Sequence, residues 1–291
     1  MKLFRLALIA FLSPIAAQAQ HLLTLEDAIQ QGITKQYSIQ ISRQRERIAA
    51  NENSLGNAGF LPTITGTANK NYTISGIDQS FFGGLRPPLV QSGVNSNSGN
   101  VGMAMAWTLY DGKGMFVLRD RYKELQNLGA KQTESSIENL IALISSTYYD
   151  IIRQNLRVNN FKKGLEISND RLKLAKDRFE VGQGSKVDYY SAQVDYNEDK
   201  ALLIAQEQSF TNTKIGFNTL LVKDYKADFQ IVNTIDLLPK LKLSELKMSA
   251  LSQNPTLIGA ILSKKISDLD TKNLQSQQKP QIDLLAGYNL N

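Results

Sequence analysis

Arg178-Phe179-Glu180-Val181-Gly182-Gln183-Gly184-Ser185-Lys186-Val187-Asp188 decides the fold. The chain reads as helix on both sides of it. Upstream, no proline occurs from Lys113 to Glu180. Ile137, Ile141, Ile144, Tyr148 and Ile151 recur at steps of four and three. Phe161, Leu165, Ser168, Leu172, Ala175 and Phe179 do the same, after a slip near Val158. This is the spacing of helices packed lengthwise. A continuous helix over 113–180 spans ~100 Å. Gly129 and Gly164 weaken it by roughly 1 kcal/mol each relative to alanine. Such a stripe needs other long helices beside it. Gly182 can take the left-handed conformation that closes a helix end. Ser185, with Asp188 three residues on, can open the next helix. The segment 181–185 is therefore a sharp turn into a second helix over 186–221.

Outward from this hairpin the period changes. Thr24-Leu25-Glu26-Asp27 fits a capping start for a short helix to about Gln36. A second helix over 38–57 carries Ile41, Ile48 and Leu55 on one stripe and ends near Gly56 and Gly59. From Pro62 to Ile74 threonine and asparagine occupy the odd positions, and residues such as Ile64, Ala68 and Tyr72 the even ones. That alternation is a strand with one polar face. The stretch 75–100, rich in Gly, Ser, Asn and Pro and containing Phe81 and Phe82, reads as a loop. A second strand covers 101–110. Val101, Met103, Met105, Trp107 and Leu109 make its bulky face, and Gly102, Ala104, Ala106 and Thr108 its small one. Trp107 and Tyr110 suit either a membrane interface or a soluble core. The region 224–240 is irregular, with a short strand at 229–232.

Composition narrows the function classes. The 291 residues include no cysteine and one histidine, His21. That excludes disulfides, thiolate sites and multi-histidine metal sites. No nucleophile–base pair, phosphate-cradling loop or metal-ligand cluster is present, and Gly182-Gln183-Gly184 lacks the third glycine of a dinucleotide fingerprint. The chain reads as no enzyme, with no cofactor and no metal. Lys2 and Arg5, the apolar run 6–12 and Ala17-Gln18-Ala19 form a secretory signal over 1–19, cleaved between Ala19 and Gln20. Without Lys2 and Arg5, 31 basic residues face 27 acidic ones, interspersed along helical segments. This is a solvated surface with no clustered patch for nucleic acid.

The order of segments repeats at an offset of 218. Leu23-Thr24-Leu25 matches Leu241-Lys242-Leu243, and Pro62-Thr63-Ile64 matches Pro280-Gln281-Ile282. Short helix, longer helix, proline and alternating strand recur, with Ile282, Leu284, Ala286, Tyr288 and Leu290 as the second apolar face. The expected organisation is a signal over 1–19, a first repeat over 20–240 and the start of a second over 241–291, broken within a strand.

At this point the chain resembles the TolC family of outer-membrane efflux proteins, from Gln20 to Asn291. The most specific segment runs from Arg178 to Asp188 and on to Ala192-Gln193: an Arg-aromatic pair, glycine three residues after the aromatic, then Ser and Asp three apart. Asn254-Pro255 resembles the family's helix-starting pair, and Gln36-Tyr37 departs from it in the first repeat. The resemblance implies a mainly α fold with membrane β. Long antiparallel helices form a periplasmic α-barrel, and strands from three protomers share one transmembrane β-barrel. It implies a homotrimer in the outer membrane, contacting its lipid. The trimer is a passive conduit for efflux or type I secretion, coupled to an inner-membrane pump through a periplasmic adaptor. The docking tip would comprise Arg178, Phe179, Val181, Gly182, Gln183, Gly184, Ser185 and Asp188, with Gln183 where several members carry an apolar residue. Gating would depend on second-repeat helices. The lipid-facing strand would present Val101, Met103, Met105, Trp107 and Leu109. The alternative is a periplasmic coiled-coil adaptor or scaffold, against which the bulky alternating strands argue.

Overall fold

The computed structural model describes residues 22–80, 82–83, 87–232, 235 and 241–291. The signal, its Ala19–Gln20 cleavage point, His21 and Phe81 lie outside the described residues. In chain order the elements are β1 (Leu22–Leu23), α1 (Leu25–Lys35), α2 (Tyr37–Glu52), β2 (Thr63–Gln79), β3 (Leu89–Asp111), α3 (Gly114–Glu180), α4 (Lys186–Leu220), β4 (Gln230–Ile231), α5 (Leu243–Gln253), α6 (Pro255–Ser276) and β5 (Gln281–Leu290). The fold is mainly helical with a small antiparallel sheet. Leu25 and Leu243, Tyr37 and Pro255, and Thr63 and Gln281 begin corresponding elements, each pair 218 apart.

The chain forms two compact units. The first comprises residues up to Ser42 together with Thr133–Lys247. Its core is Leu23, Ala28, Ile39, Leu140, Ile144, Tyr148, Ile151, Ile152, Phe217 and Leu221. The first apolar run of α3 thus supplies the core at Ile144, Tyr148 and Ile151. In the second run, Phe161, Leu165, Leu172 and Ala175 are half-buried and Ser168 is buried. Thr24 caps α1, accepting from the Asp27 amide at 3.1 Å. Lys162 pairs with Glu207 at 3.2 Å, tying α3 to α4. β4 pairs in parallel with β1, Leu22 opposite Gln230 and Leu23 opposite Ile231. The Tyr148 hydroxyl donates to the Leu23 carbonyl at 3.1 Å. Burial raises the pKa of this phenol above its usual value.

The second unit comprises Arg43–Gln132 and Met248–Asn291. Here α3 meets α2 and α6. Ala49 and Glu46 approach Gly129 so closely that an added Cβ would lie 3.4 Å from the Ala49 Cβ. Arg121 pairs with Asp270 at 2.5 Å and Lys265 with Glu124 at 2.7 Å. The Lys265 bond holds the Glu124 carboxyl below its usual pKa. Asn254 caps α6, accepting from the Leu257 amide at 2.9 Å, with Pro255 opening the helix. The three-stranded sheet has the order β2-β3-β5, all antiparallel.

Three expectations need correction. The helix expected over 38–57 stops at Glu52. Ser54 Oγ accepts from the Asn57 amide and Asn57 Nδ2 donates to the Glu52 carbonyl, so side chains divert the backbone into turns. The stretch 75–100 is no loop over most of its length. β2 runs to Gln79, β3 begins at Leu89, and the two pair with each other throughout. Cross-strand hydrogen bonds satisfy this polar backbone without an apolar face. The register shifts between Ser75 and Ile77, opposite Val94 and Gln91, which leaves Ser92 and Gly93 facing Gly76 as a bulge. The third is the strand expected over 229–232, which is present only as Gln230–Ile231 and pairs with β1, an element that sequence reading did not anticipate.

Candidate functional site: a two-faced sheet and a helical turn

In an antiparallel sheet, residues directly opposite each other share a face. Val101 stands opposite Ala68 and Leu290, Met103 opposite Gly66 and Tyr288, Met105 opposite Ile64 and Ala286, and Trp107 opposite Leu284. This stretch of the face is apolar and most of its large residues are exposed, and beyond it Lys70 stands opposite Gly99, Tyr72 opposite Asn97 and Ile74 opposite Asn95. The register with β5 then shifts between Thr108 and Tyr110. Leu109 is the extra residue of this bulge, and Tyr110 takes the paired place opposite Ile282. The indole N–H of Trp107 donates to the Phe60 carbonyl at 3.0 Å. Trp107 and Tyr110 thus stand together at one end of the apolar face.

The opposite face is polar or small. Thr63, Thr65, Thr67, Asn69, Asn71 and Thr73 stand opposite Ala106, Ala104, Gly102, Asn100, Ser98 and Ser96. Gly102 is buried because Asn289 folds over it. Lower on the same face Thr108 pairs with Asp283 and Asp111 with Gln281. β3 leaves the sheet through Gly112, at φ +68, where a Cβ would lie 2.4 Å from the Ser276 carbonyl oxygen. Only glycine fits that junction.

The turn between α3 and α4 closes as its residues predict. The Gln183 amide donates to the Arg178 carbonyl at 2.8 Å and the Gly182 amide to the Phe179 carbonyl at 3.1 Å, with Gly182 at φ +77. These are the paired bonds of a Schellman closure, the left-handed glycine following the capping residue Val181. Gly184 packs under Arg178. Ser185 Oγ accepts from the Asp188 amide at 3.0 Å and opens α4. All eight residues expected at the tip are gathered in this turn or its flanks. Sequence reading missed the aromatic cluster beside it. Phe179 stacks on Tyr189 with centroids 6.0 Å apart, and Lys186 lies over Tyr190 at 5.5 Å. The Tyr189-Tyr190 pair after Asp188 was its visible signal. Val181 and Val187 are exposed at the turn.

Among the described residues no group of three or more His, Asp or Glu could hold a metal, and no helix is long and apolar enough to cross a membrane.

A sequence profile described as "Outer membrane efflux protein" matches residues 28–221, about two thirds of the chain. The chain belongs to that family, whose members are channels of the outer membrane. Solved structures agree in fold. The outer-membrane channel OprN matches with a TM-score of 0.67 at 17% identity, covering 90% of this chain and 57% of its own. The outer membrane protein VceC from Vibrio cholerae gives 0.70 at 13%, covering 91% and 62%. The Campylobacter jejuni CmeC outer membrane channel gives 0.69 at 11%, covering 91% and 61%. The chain spans about three fifths of the length of these channels. Comparison with curated protein sequences returns no match.

Proposed function

We propose that the chain is a subunit of an outer-membrane conduit serving a tripartite efflux or type I secretion system. Its strands complete a shared barrel in a homotrimer, and its helices extend into the periplasm. The observation that carries this reading is the sheet. One face is apolar from Ile64 to Ala68 and from Val101 to Trp107, with Lys70 beyond Ala68, the other is uncharged and polar over most of its length, and β2 and β5 each have a partner on one side only. In hydrocarbon an open strand edge costs several kcal/mol per unmet group, so the edges must pair with further strands. Strands from other protomers meet that need, with the apolar face toward lipid and the polar face toward water. The exposed apolar residues of the hairpin, among them Leu143, Leu156, Leu174, Val194 and Ile204, suit helix partners from the same assembly.

The turn at 181–185 is the docking tip for the periplasmic adaptor, through which an inner-membrane pump supplies the energy. Its support is a rigid Schellman closure presenting Val181, Gln183 and Val187 outward beside stacked aromatics. Envelope fractionation with unheated electrophoresis tests the assembly. An outer-membrane species of trimer size that collapses to monomer on heating is expected. A soluble periplasmic protein with unchanged migration would overturn the reading and favour an adaptor or scaffold.

A further inference from the structure

The polar face of the sheet carries no charge from Thr63 to Thr73 on β2, nor on the β3 residues opposite. Asp283 breaks that pattern. Its register partner is Thr108, which places it on the face of Ala104 and Ala106 rather than that of Trp107. Two neutral donors hold it in place. Thr108 Oγ1 donates to Asp283 Oδ1 at 2.8 Å, and Gln281 Nε2 donates to the same oxygen at 3.0 Å. Among the described residues no cation pairs with this carboxylate. The nearest lysine along β5's approach, Lys279, directs its ammonium to the Gly112 carbonyl at 3.4 Å.

We propose that Asp283 is a charge-selecting residue of the conduit. Three-fold assembly turns it into a ring of carboxylates at the end of the sheet nearest the helices. That ring favours cationic cargo over anionic cargo. The inference rests on the channel reading above. Among the described residues the polar face carries no positive charge to offset the ring, Asp111 opposite Gln281 adds a second carboxylate of the same sign, and a carboxylate field inside low-dielectric walls is focused along the lumen. Its reach is set by salt: ~30 Å at 0.01 M, ~10 Å at 0.1 M and ~3 Å at 1 M.

Reversal potentials of the complete natural protein in planar bilayers, under a potassium chloride gradient, read this directly. Potassium is expected to permeate better than chloride at low salt, with the preference fading as salt rises. Asp283→Asn keeps an oxygen that accepts both hydrogen bonds and removes only the charge. It should cut the potassium-to-chloride permeability ratio to roughly half or less at ~0.01 M. Asp283→Lys should invert it. A second readout does not depend on those variants inserting. Residues 1–291 hold no cysteine, so, with any cysteine elsewhere in the complete protein replaced by serine, Ala106→Cys is a unique thiol ~7 Å along the sheet from the Asp283 row. It should react faster with a cationic than with an anionic methanethiosulfonate, each rate normalised to a free thiol. Equal normalised rates, or an unchanged permeability ratio in Asp283→Asn, would overturn the selectivity role and leave the channel reading standing. Inserted trimer that conducts no ions would overturn the channel reading, and this inference with it.

Discussion

Single residues set the two junctions on which the account depends. Gly182 has nothing within 4 Å of an added Cβ, so its constraint is φ +77 alone. Valine there should strain the turn by about 1–2 kcal/mol, the left-handed penalty of an ordinary residue. Export should fall in Gly182→Val while the amount of assembled trimer holds. Asparagine, which tolerates that conformation, should restore export. Gly164→Ala, in open space within α3, should leave export unchanged. A valine variant that exports normally would remove the turn from the docking site. At Gly112 the constraint is double, φ +68 and the Ser276 carbonyl oxygen 2.4 Å from an added Cβ, so Gly112→Ala should lower the yield of assembled trimer. The Glu124–Lys265 pair makes a pH prediction. The folded carboxyl has its pKa lowered by the Lys265 bond. Its contribution is therefore complete above the unfolded pKa and is lost as pH falls through the folded one. Protection of α6 amides, relative to their intrinsic exchange rates at each pH, should fall below about pH 4, and Glu124→Gln should flatten that dependence. Lys265→Ala should cost about 1 kcal/mol at neutral pH, because the Glu124 carboxylate loses its cation and keeps only the Asn127 amide as donor.

At the scale of elements, legibility followed locality. The α3 stripe was readable because Ile144, Tyr148 and Ile151 bury themselves through helical spacing alone. The turn was readable because Gly182 and Ser185 act on backbone groups within a few residues. β1 was not readable: Leu22 and Leu23 have no pattern of their own and become a strand only against β4. The upper parts of β2 and β3 were hidden because paired polar strands carry no hydropathy signal. The bulge at Leu109 depends on where β5 lies, and no property of β3 alone announces it. The faces themselves make a testable difference. A spin label at Met103 should be exposed to oxygen in lipid, and one at Ala104 to an aqueous nickel reagent. Equal aqueous accessibility at both would contradict the two-faced sheet. Met103→Arg should cost roughly 2–4 kcal/mol of barrel stability if the site is near mid-bilayer, seen as a lower temperature for trimer dissociation.

For the whole molecule, the proposed function implies one arrangement: strands in the outer membrane, helical hairpin on the periplasmic side. α3 alone runs from Gly114 to Glu180, ~100 Å of continuous helix. The strand-to-strand turn at Phe82-Gly83 would then face the exterior, and the helical turn at Gln183 the periplasm. Residues 1–291 hold no cysteine, so each end can be marked singly once any cysteine elsewhere in the protein is replaced by serine. The most direct measurement is labelling of Gly83→Cys and Gln183→Cys in intact cells with a maleimide polymer too large to cross the outer membrane. Position 83 should label in intact cells, and position 183 only after the outer membrane is permeabilised. Labelling of position 183 on intact cells, or of position 83 only after permeabilisation, would contradict an outer-membrane conduit with a periplasmic hairpin.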